Sequence, residues 1–217
     1  METQYTKIVS SMDADRERIL DYARKKFFAE GFNKISMDEI AVGLGMSKKT
    51  IYKNFEKKEV LVEEAVFSYL NANLSELTII HSTGKNSVEK LCMSIQLIGS
   101  MLARISQRCF SDMQVHYPRI WQKVEEYRSL KIRANFGAIF TEGQLEGVFK
   151  PYPIDLVMQV LLSAIRGVIN PEFLWDSSLA NKDAFQMTTA IIIHGLLTED
   201  GNKIFKKFKI GESLCKK

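Results

Sequence analysis

Two short helical segments, joined by a glycine-containing turn, constrain the fold more than any other feature of the sequence. Residues 36–44 read SMDEIAVGL and residues 47–55 read SKKTIYKNF. Each has helical spacing over about two turns, and an isolated helix of that length is marginal in water. Gly45, in the turn, can adopt the left-handed conformation that ends a helix. The two segments therefore need longer neighbouring helices to hold them, and so short a turn brings them together at a sharp angle.

Both short segments carry signals for a helix N-terminus, and the second has few apolar side chains. Ser36 and Glu39 have the S-x-x-E spacing of a capping box, and Ser47 is placed to cap the second segment. Ile51 and Phe55 lie one turn apart and are the side chains expected to anchor the second segment.

Longer amphipathic helices are predicted on both sides. In DADRERILDYARKKFFAEGF, residues 13–32, apolar side chains recur at helical spacing, and Gly31 supplies the stop. A fourth helix is predicted to begin near Glu56 and to turn five apolar side chains inward: Val60, Leu61, Ala65, Leu70 and Leu74. A short helix, a sharp turn and a second short helix braced by longer ones form a helix-turn-helix, whose second helix enters the DNA major groove.

Charge is concentrated on that second short helix. Ser47 to Lys58 contains five lysines and one acid, Glu56, whereas the net charge of the whole chain is only +4. A local basic patch of this kind suits phosphate neutralisation. Lysine near the start of the helix can reach guanine O6 and N7, and a threonine can touch a thymine methyl group. For any one of these lysines alone, an ordinary solvated helix face is the favoured explanation, whereas the whole set favours DNA binding.

Composition restricts which classes of fold and function remain for the chain as a whole. The chain has 217 residues, 46% hydrophobic and 26% charged, with four prolines and helical spacing almost throughout, which predicts an all-α globular protein. Cys92, Cys109 and Cys215 form no metal or disulfide pattern, so reduced thiols in the cytoplasm are expected. No export signal, membrane-spanning stretch, phosphate-binding loop or nucleophile elbow is present, and the three histidines are far apart. We therefore expect neither an enzyme, a metal site nor a cofactor.

The stretch ISMDEIAVGLGMSKKTIYKNFEKKEVL resembles the DNA-binding domain of the tetracycline-repressor (TetR) family of bacterial regulators. The matching positions keep the family's spacing and cover about residues 14–70: Ser36, Ile40, Ala41, Gly45, Ser47, Thr50, Ile51, Tyr52, Phe55, Lys58, Glu59 and Leu61. The resemblance implies a DNA-binding domain at 1–56 and a helical ligand-binding and dimerisation domain at 57–217. Combined with the charge pattern, it predicts these DNA-binding residues: Ser36, Met37, Ser47, Lys48, Lys49, Thr50, Tyr52, Lys53, Lys57 and Lys58.

Two positions depart from the family pattern. Lys49 stands where the family usually has a small residue, and Asn54 replaces a common histidine or tyrosine. Both belong to the exposed surface of the predicted recognition helix, so the operator preference is expected to depend on them.

The C-terminal two-thirds of the chain has to be interpreted from periodicity. Pro118 suits the first turn of a long helix that ends in the glycine-containing turn at 143–147, with an inner row of Ile120, Trp121, Val124, Tyr127, Leu130, Ile132, Phe136 and Phe140. The last two long helices are apolar around most of their circumference, which fits burial on more than one side. A central helix of a monomer core is one explanation. A homodimeric four-helix bundle fits better and is also implied by the resemblance, with these dimerisation residues: Val157, Leu161, Ile165, Ile191 and Ile192.

Aromatic and methionine side chains in the C-terminal part are candidates for a mostly apolar ligand pocket. The set is Met101, Phe110, Met113, His116, Tyr117, Trp121, Phe136, Phe140, Met158 and Arg166. Each apolar member is also compatible with plain core, and the family's usual cavity is what implies that a subset lines a pocket. Arg166 needs a partner: an acidic ligand, or, as the favoured alternative, a salt bridge to Asp155, Glu172 or another carboxylate.

These observations predict a cytoplasmic, ligand-responsive repressor. A homodimer would bind double-stranded, palindromic operator DNA with recognition helices about 34 Å apart. A small hydrophobic or amphipathic effector would tilt the fourth helix and weaken DNA binding, provided that it binds the two dimer shapes with different affinity. The alternative is a nucleoid-associated protein of the same fold without an effector. The basic C-terminal tail, KIFKKFKIGESLCKK, is expected to be a solvated helix end rather than a membrane anchor.

Overall fold

The protein is helical throughout the part of the chain that the structure describes. The computed structural model describes residues 2–177 and 179–210, with side chains from residue 14 onward. The all-α prediction is confirmed; a single isolated bridge joins Phe149 and Leu197. The helices are α1 (Glu2–Glu30), α2 (Met37–Leu44), α3 (Lys48–Asn54), α4 (Lys58–Thr83), α5 (Ser87–Ala103), α6 (Gln107–His116), α7 (Pro118–Leu145), α8 (Ile154–Val168), α9 (Pro171–Ser177), α10 (Asn181–Leu196) and α11 (Glu199–Phe205), followed by a 3-10 turn at Lys206–Phe208.

The chain folds into two compact units. Unit 1 comprises Met1–Asn71 and Arg108–Trp121, and unit 2 comprises Ala72–Gln107 and Gln122–Lys217. The domain boundary predicted between residues 56 and 57 lies inside unit 1, whose first stretch continues to Asn71. One reason is that the first half of α4 is joined to α1, by an ion pair between Arg16 and Glu64 at 2.5 Å and by ring contact between Phe28 and Tyr69 at 4.5 Å.

Residues 108–121 belong to unit 1 because they contact the loop after α1. The Asp112 carboxylate accepts a hydrogen bond from the Asn33 backbone N–H at 2.8 Å, and the Phe32 and Tyr117 rings meet edge to face at 6.3 Å. Gly31 has a φ of 95°, and a Cβ added there would overlap the side chains of Asp112 and Arg108. Sequence periodicity did not predict α6, which contributes most of this segment.

The core of unit 1 follows the predicted apolar rows. Phe27 from α1, Ile40 from α2, Ile51 from α3 and Phe55 are fully buried. Ile19 and Ala23 on α1 are fully buried, and so are Leu61 and Ala65, which were predicted to face inward from α4. Val60 was predicted to face inward and is 40% exposed, because it lies one residue away from the buried stripe of α4.

Unit 2 is built around α5, α8 and α10. Helix α10 packs against both α5 and α8, and α11 packs against α5. As predicted, α7 begins at Pro118 and its C-terminal part buries Ile132, Phe136 and Phe140, but Leu130 is 66% exposed and was wrongly placed in the inner row. Leu130 and Ile132 are two positions apart in the sequence, so they cannot share one face of a helix.

A short antiparallel contact fixes the connection after α7. The helix ends at Leu145, as the glycine-containing turn predicts, and Gly147 has a φ of 73°. Beyond it, the Lys150 N–H donates to the Leu196 carbonyl oxygen at 2.8 Å, and the Thr198 N–H donates to the Val148 carbonyl oxygen at 3.0 Å.

Membrane-spanning segments are not found as single helices in the described ranges. No helix there is both long enough and apolar enough, and only the pair α8 and α9, bent by 62° at the break between them, passes by length and composition together. The part of the basic tail after residue 210, with Cys215, lies outside the described residues.

Candidate nucleic-acid interface

Helix α3 is held by two anchors and presents its other side chains to solvent. Its first turn is capped by Ser47, whose hydroxyl oxygen accepts from the Thr50 N–H at 3.1 Å, and its end is held by buried Ile51 and Phe55. The Arg16 guanidinium lies over the Phe55 ring, 4.6 Å from its centroid, and so ties the end of α3 to α1. Anchoring through so few apolar side chains leaves the remaining surface polar.

The turn between α2 and α3 has the geometry that the sequence predicts. Ser36 and Glu39 form a complete capping box: the Ser36 N–H donates to the Glu39 carboxylate at 2.6 Å, and the Glu39 N–H donates to the Ser36 hydroxyl at 3.1 Å. The hydrogen bond from the Ser36 N–H, together with one from the Ser36 hydroxyl to the Glu39 carboxylate at 2.9 Å, lowers the pKa of the Glu39 carboxyl. Gly45 ends α2 with a φ of 63°. The pair α2–α3 is therefore a helix-turn-helix with both N-termini capped by side chains.

The predicted DNA-binding residues do not all reach the surface. Ser36, Ser47, Lys48, Lys49, Tyr52, Lys53 and Lys57 are exposed. Met37 is only 6% exposed, so its side chain belongs to the core of unit 1 and not to the exposed surface that was predicted to meet DNA. As the first residue of α2, it is drawn inward with Ile40 and Ala41, which lie on the same face one turn later.

Two predicted contact residues have their polar groups occupied within the protein. The Thr50 and Ser47 hydroxyls lie 2.9 Å apart, and either can donate. Lys58 is partly buried and its ammonium group donates to the Asn33 carbonyl oxygen at 3.2 Å. Burial lowers the pKa of Lys58, although Asp112 and Glu39 act in the opposite direction.

Lys48, the first residue of α3, forms an ion pair that sequence reasoning missed. Its ammonium group lies 2.6 Å from the Asp38 carboxylate of α2, and this hydrogen bond raises the pKa of Lys48. Within the described part of the chain, Lys49 and Lys53 form no ion pair. The only sequence signal for the pair is an acid in the first turn of α2, which is also explained by the helix dipole.

The predicted ligand-binding residues are divided between the two units. Unit 1 contains Phe110, Met113, His116, Tyr117 and Trp121, and unit 2 contains Met101, Phe136, Phe140, Met158 and Arg166. His116 is exposed. Arg166 pairs with Glu125 at 3.3 Å and donates to the Ser129 hydroxyl at 2.6 Å, so a carboxylate partner other than Asp155 or Glu172 takes the predicted role.

The predicted dimerisation residues also differ in exposure. Val157, Leu161 and Ile165 are at most 6% exposed within the single chain, because their common face of α8 fills the core of unit 2. Their side chains are therefore not available to a partner subunit. Ile191 is 74% exposed and Ile192 is partly exposed. The exposed apolar side chains of α8 are Leu156 and Val160, one turn apart.

Comparison with known proteins agrees with this geometry. Residues 19–65 match the sequence profile of the family described as "Bacterial regulatory proteins, tetR family". The chain is 24% identical over 196 residues to the HTH-type transcriptional repressor KstR2 of Mycolicibacterium smegmatis, covering 87% of this chain and 93% of that protein. It is 18% identical over 188 residues to the HTH-type transcriptional regulator YvaF of Bacillus subtilis, covering 85% of this chain and 96% of that protein.

A solved structure shares the fold over most of the chain. A transcriptional regulator from Saccharomonospora viridis, in complex with choline, has a TM-score of 0.70 and 19% identity, covering 86% of this chain and 100% of that chain. The matched profile contains α2, α3 and the residues that anchor them. The profile match and the capped helix-turn-helix together identify residues 19–65 as a DNA-binding domain of the TetR family, and the chain is similar over most of its length to HTH-type transcriptional regulators.

Proposed function

We propose that the protein is a repressor that binds a palindromic operator as a homodimer and releases it when a small hydrophobic or amphipathic effector binds. The observation that carries the DNA-binding part is the surface of α3, where Lys49, Tyr52 and Lys53 are exposed while Ile51 and Phe55 anchor the helix. Repression is supported by similarity to KstR2, which is named a transcriptional repressor. We place the protein in the cytoplasm, where it meets DNA.

The roles of the exposed residues follow from groove geometry. Lys49 lies in the first turn of α3, the part of a recognition helix that reaches base edges, and lysine there can donate to guanine O6 and N7. Tyr52 and Lys53 lie in the second turn and suit phosphate oxygens, which set the register of the protein on the duplex. Lys49 is therefore our candidate for the residue that sets operator preference.

The DNA-binding proposal is tested by selecting duplexes from a random pool and measuring binding by gel shift. We expect Lys49→Ala to weaken binding to the selected duplex by about tenfold and to relax selection at one position. Tyr52→Phe should weaken binding more evenly across sequences. If both variants keep wild-type affinity at physiological salt, α3 is not the recognition helix. Equal binding to every sequence would favour the nucleoid-associated alternative.

The effector part of the proposal is supported by the choline-bound regulator with the same fold. Apolar side chains that suit a ligand are present in both units, but they also suit plain core. Mass spectrometry of small molecules released from the denatured, purified protein would identify a bound effector, with choline as a reference probe. Adding the released compound back should weaken operator binding. A compound that binds without changing operator affinity would contradict release by an effector, because coupling needs different affinities for the two states.

A further inference from the structure

The ion pair between Asp38 and Lys48 cannot be explained as a contribution to stability. The two side chains are 51% and 66% exposed, and exposed ion pairs contribute little to folding. Lys48 is also badly placed for its own helix, because a cation at a helix N-terminus opposes the helix dipole and α3 has no acid in its first turn. A positive charge at this position therefore points to a role at the DNA surface.

Asp38 changes what that lysine offers to DNA. A lysine ammonium group has three N–H donors and no acceptor, and the Asp38 carboxylate accepts one of them. Two donors remain, which is the number that guanine O6 and N7 can accept. The pair as a whole has no net charge, so its long-range attraction to phosphates is small even though its donors are still present.

We propose that Asp38 is a specificity-determining residue: it neutralises Lys48 towards phosphates while holding its remaining donors in place for a base edge. This inference rests on the proposed operator binding and refines it. Lys53, which forms no ion pair in the described ranges, supplies charge that binds any sequence. Lys48, paired with Asp38, contributes to binding only where the duplex presents matching acceptors.

The salt dependence of binding separates these two kinds of lysine. On a duplex of mixed sequence, log K falls as log salt rises, and Lys53→Ala should make this negative slope shallower by about 0.9 for each recognition helix. Replacing the pair together, Lys48→Ala with Asp38→Asn, keeps the net charge of this site at zero, so the double variant should leave that slope unchanged. On the duplex selected from the random pool, Lys48→Ala should weaken binding by about tenfold.

Releasing Lys48 from its partner gives the reverse effect. Asp38→Asn keeps a hydrogen-bond acceptor but removes the charge, so binding to the mixed-sequence duplex should tighten by about threefold for each recognition helix, with a slope steeper by about 0.9. The selected duplex should gain less, so discrimination falls. In the Asp38→Asn background, Lys48→Ala should now reduce the slope as Lys53→Ala does.

Asp200→Asn is the matched control, because Asp200 forms an exposed pair with Lys203 at 2.7 Å in unit 2. This substitution should change the affinity and the salt slope for neither the mixed-sequence nor the selected duplex. The inference is overturned if the double variant, Lys48→Ala with Asp38→Asn, reduces the magnitude of the wild-type slope as much as Lys53→Ala does. It is also overturned if Asp38→Asn tightens binding to the selected and the mixed-sequence duplex equally, since Asp38 would then act by its charge alone and not on discrimination. If the wild-type protein selects no sequence at all, the proposed operator binding fails instead.

Discussion

Lys58 differs from the other lysines between Ser47 and Lys58 because its ammonium group is directed to the protein's own backbone. It donates to the Asn33 carbonyl oxygen, while the Asn33 N–H donates to Asp112. The backbone N–H and carbonyl oxygen of Asn33 therefore both have side-chain partners, Asp112 from α6 and Lys58 from α4. A basic residue of the DNA-binding segment can thus stabilise the fold of unit 1 instead of contacting DNA.

Replacing Lys58 should affect stability more than the salt dependence of DNA binding. We expect Lys58→Ala to lower the free energy of unfolding by about 1 kcal/mol, because a hydrogen bond from a charged donor is lost. Lys57, which is exposed, is the matched control, and Lys57→Ala should change stability little. Urea unfolding and salt-titrated gel shifts measure the two effects. A Lys58→Ala protein of unchanged stability and reduced slope would contradict this role.

The start of α2 should make stability depend on pH. The pKa of Glu39 is lowered in the folded protein by its hydrogen bonds to Ser36, so its stabilising effect is present above the unfolded pKa of about 4.3. The effect is lost as the pH falls through the lower, folded pKa. We expect Glu39→Gln to be less stable than wild type at neutral pH and equally stable in acid. A difference that persists in acid would contradict a contribution from the ionised carboxylate.

At the scale of elements, a comparison of two glycines separates the cost of backbone strain from the cost of steric overlap with a neighbouring helix. Gly31 and Gly45 both have positive φ, but a Cβ at Gly45 meets nothing within 4 Å, whereas one at Gly31 overlaps Asp112 and Arg108. Gly45→Ala should therefore cost about 1 kcal/mol, the strain of the left-handed conformation. Gly31→Ala should cost clearly more in urea unfolding. Equal losses of unfolding free energy for the two variants would mean that the α6 side chains do not pack closely against Gly31.

Element prediction succeeded where the signals are local. The capping box at Ser36, the turn at Gly45 and the anchors Ile51 and Phe55 are set by residues within one or two turns of each other. It failed where a distant segment decides. The pair of Asp38 with Lys48 requires two helices to be positioned first. The burial of Met37, in contrast, follows from its helical spacing with Ile40 and Ala41, which the predicted DNA contact did not take into account.

The same limit applies to the C-terminal helices. The spacing of α8 shows that it is apolar nearly all round, but it does not show which face its own chain covers. The structure assigns Leu161 to the core and leaves Val160 exposed, although both are apolar and adjacent. That division depends on α10 packing against α8, which is a contact across the fold.

At the scale of the whole molecule, the proposed dimer should depend on exposed rather than buried apolar residues. In a two-fold interface each substitution occurs twice, so Ile191→Glu should place like charges together and give monomers in sedimentation equilibrium. Leu145→Glu, at a position 87% exposed in unit 2, is the control and should remain dimeric. Leu161→Ala should instead lower the free energy of unfolding by about 2–5 kcal/mol. A dimeric Ile191→Glu protein would place the interface elsewhere.

The contact of Asp112 with Asn33 has a consequence for how such regulators can be recombined. The DNA-binding half cannot be transplanted as one continuous piece of sequence, because residues 108–121 are part of the same compact unit. A graft that stops within α4 would leave the Asn33 N–H without its acceptor and the Phe32 ring without Tyr117. Exchange between regulators therefore has to carry two separate stretches of the chain, and the second must match the loop of the first.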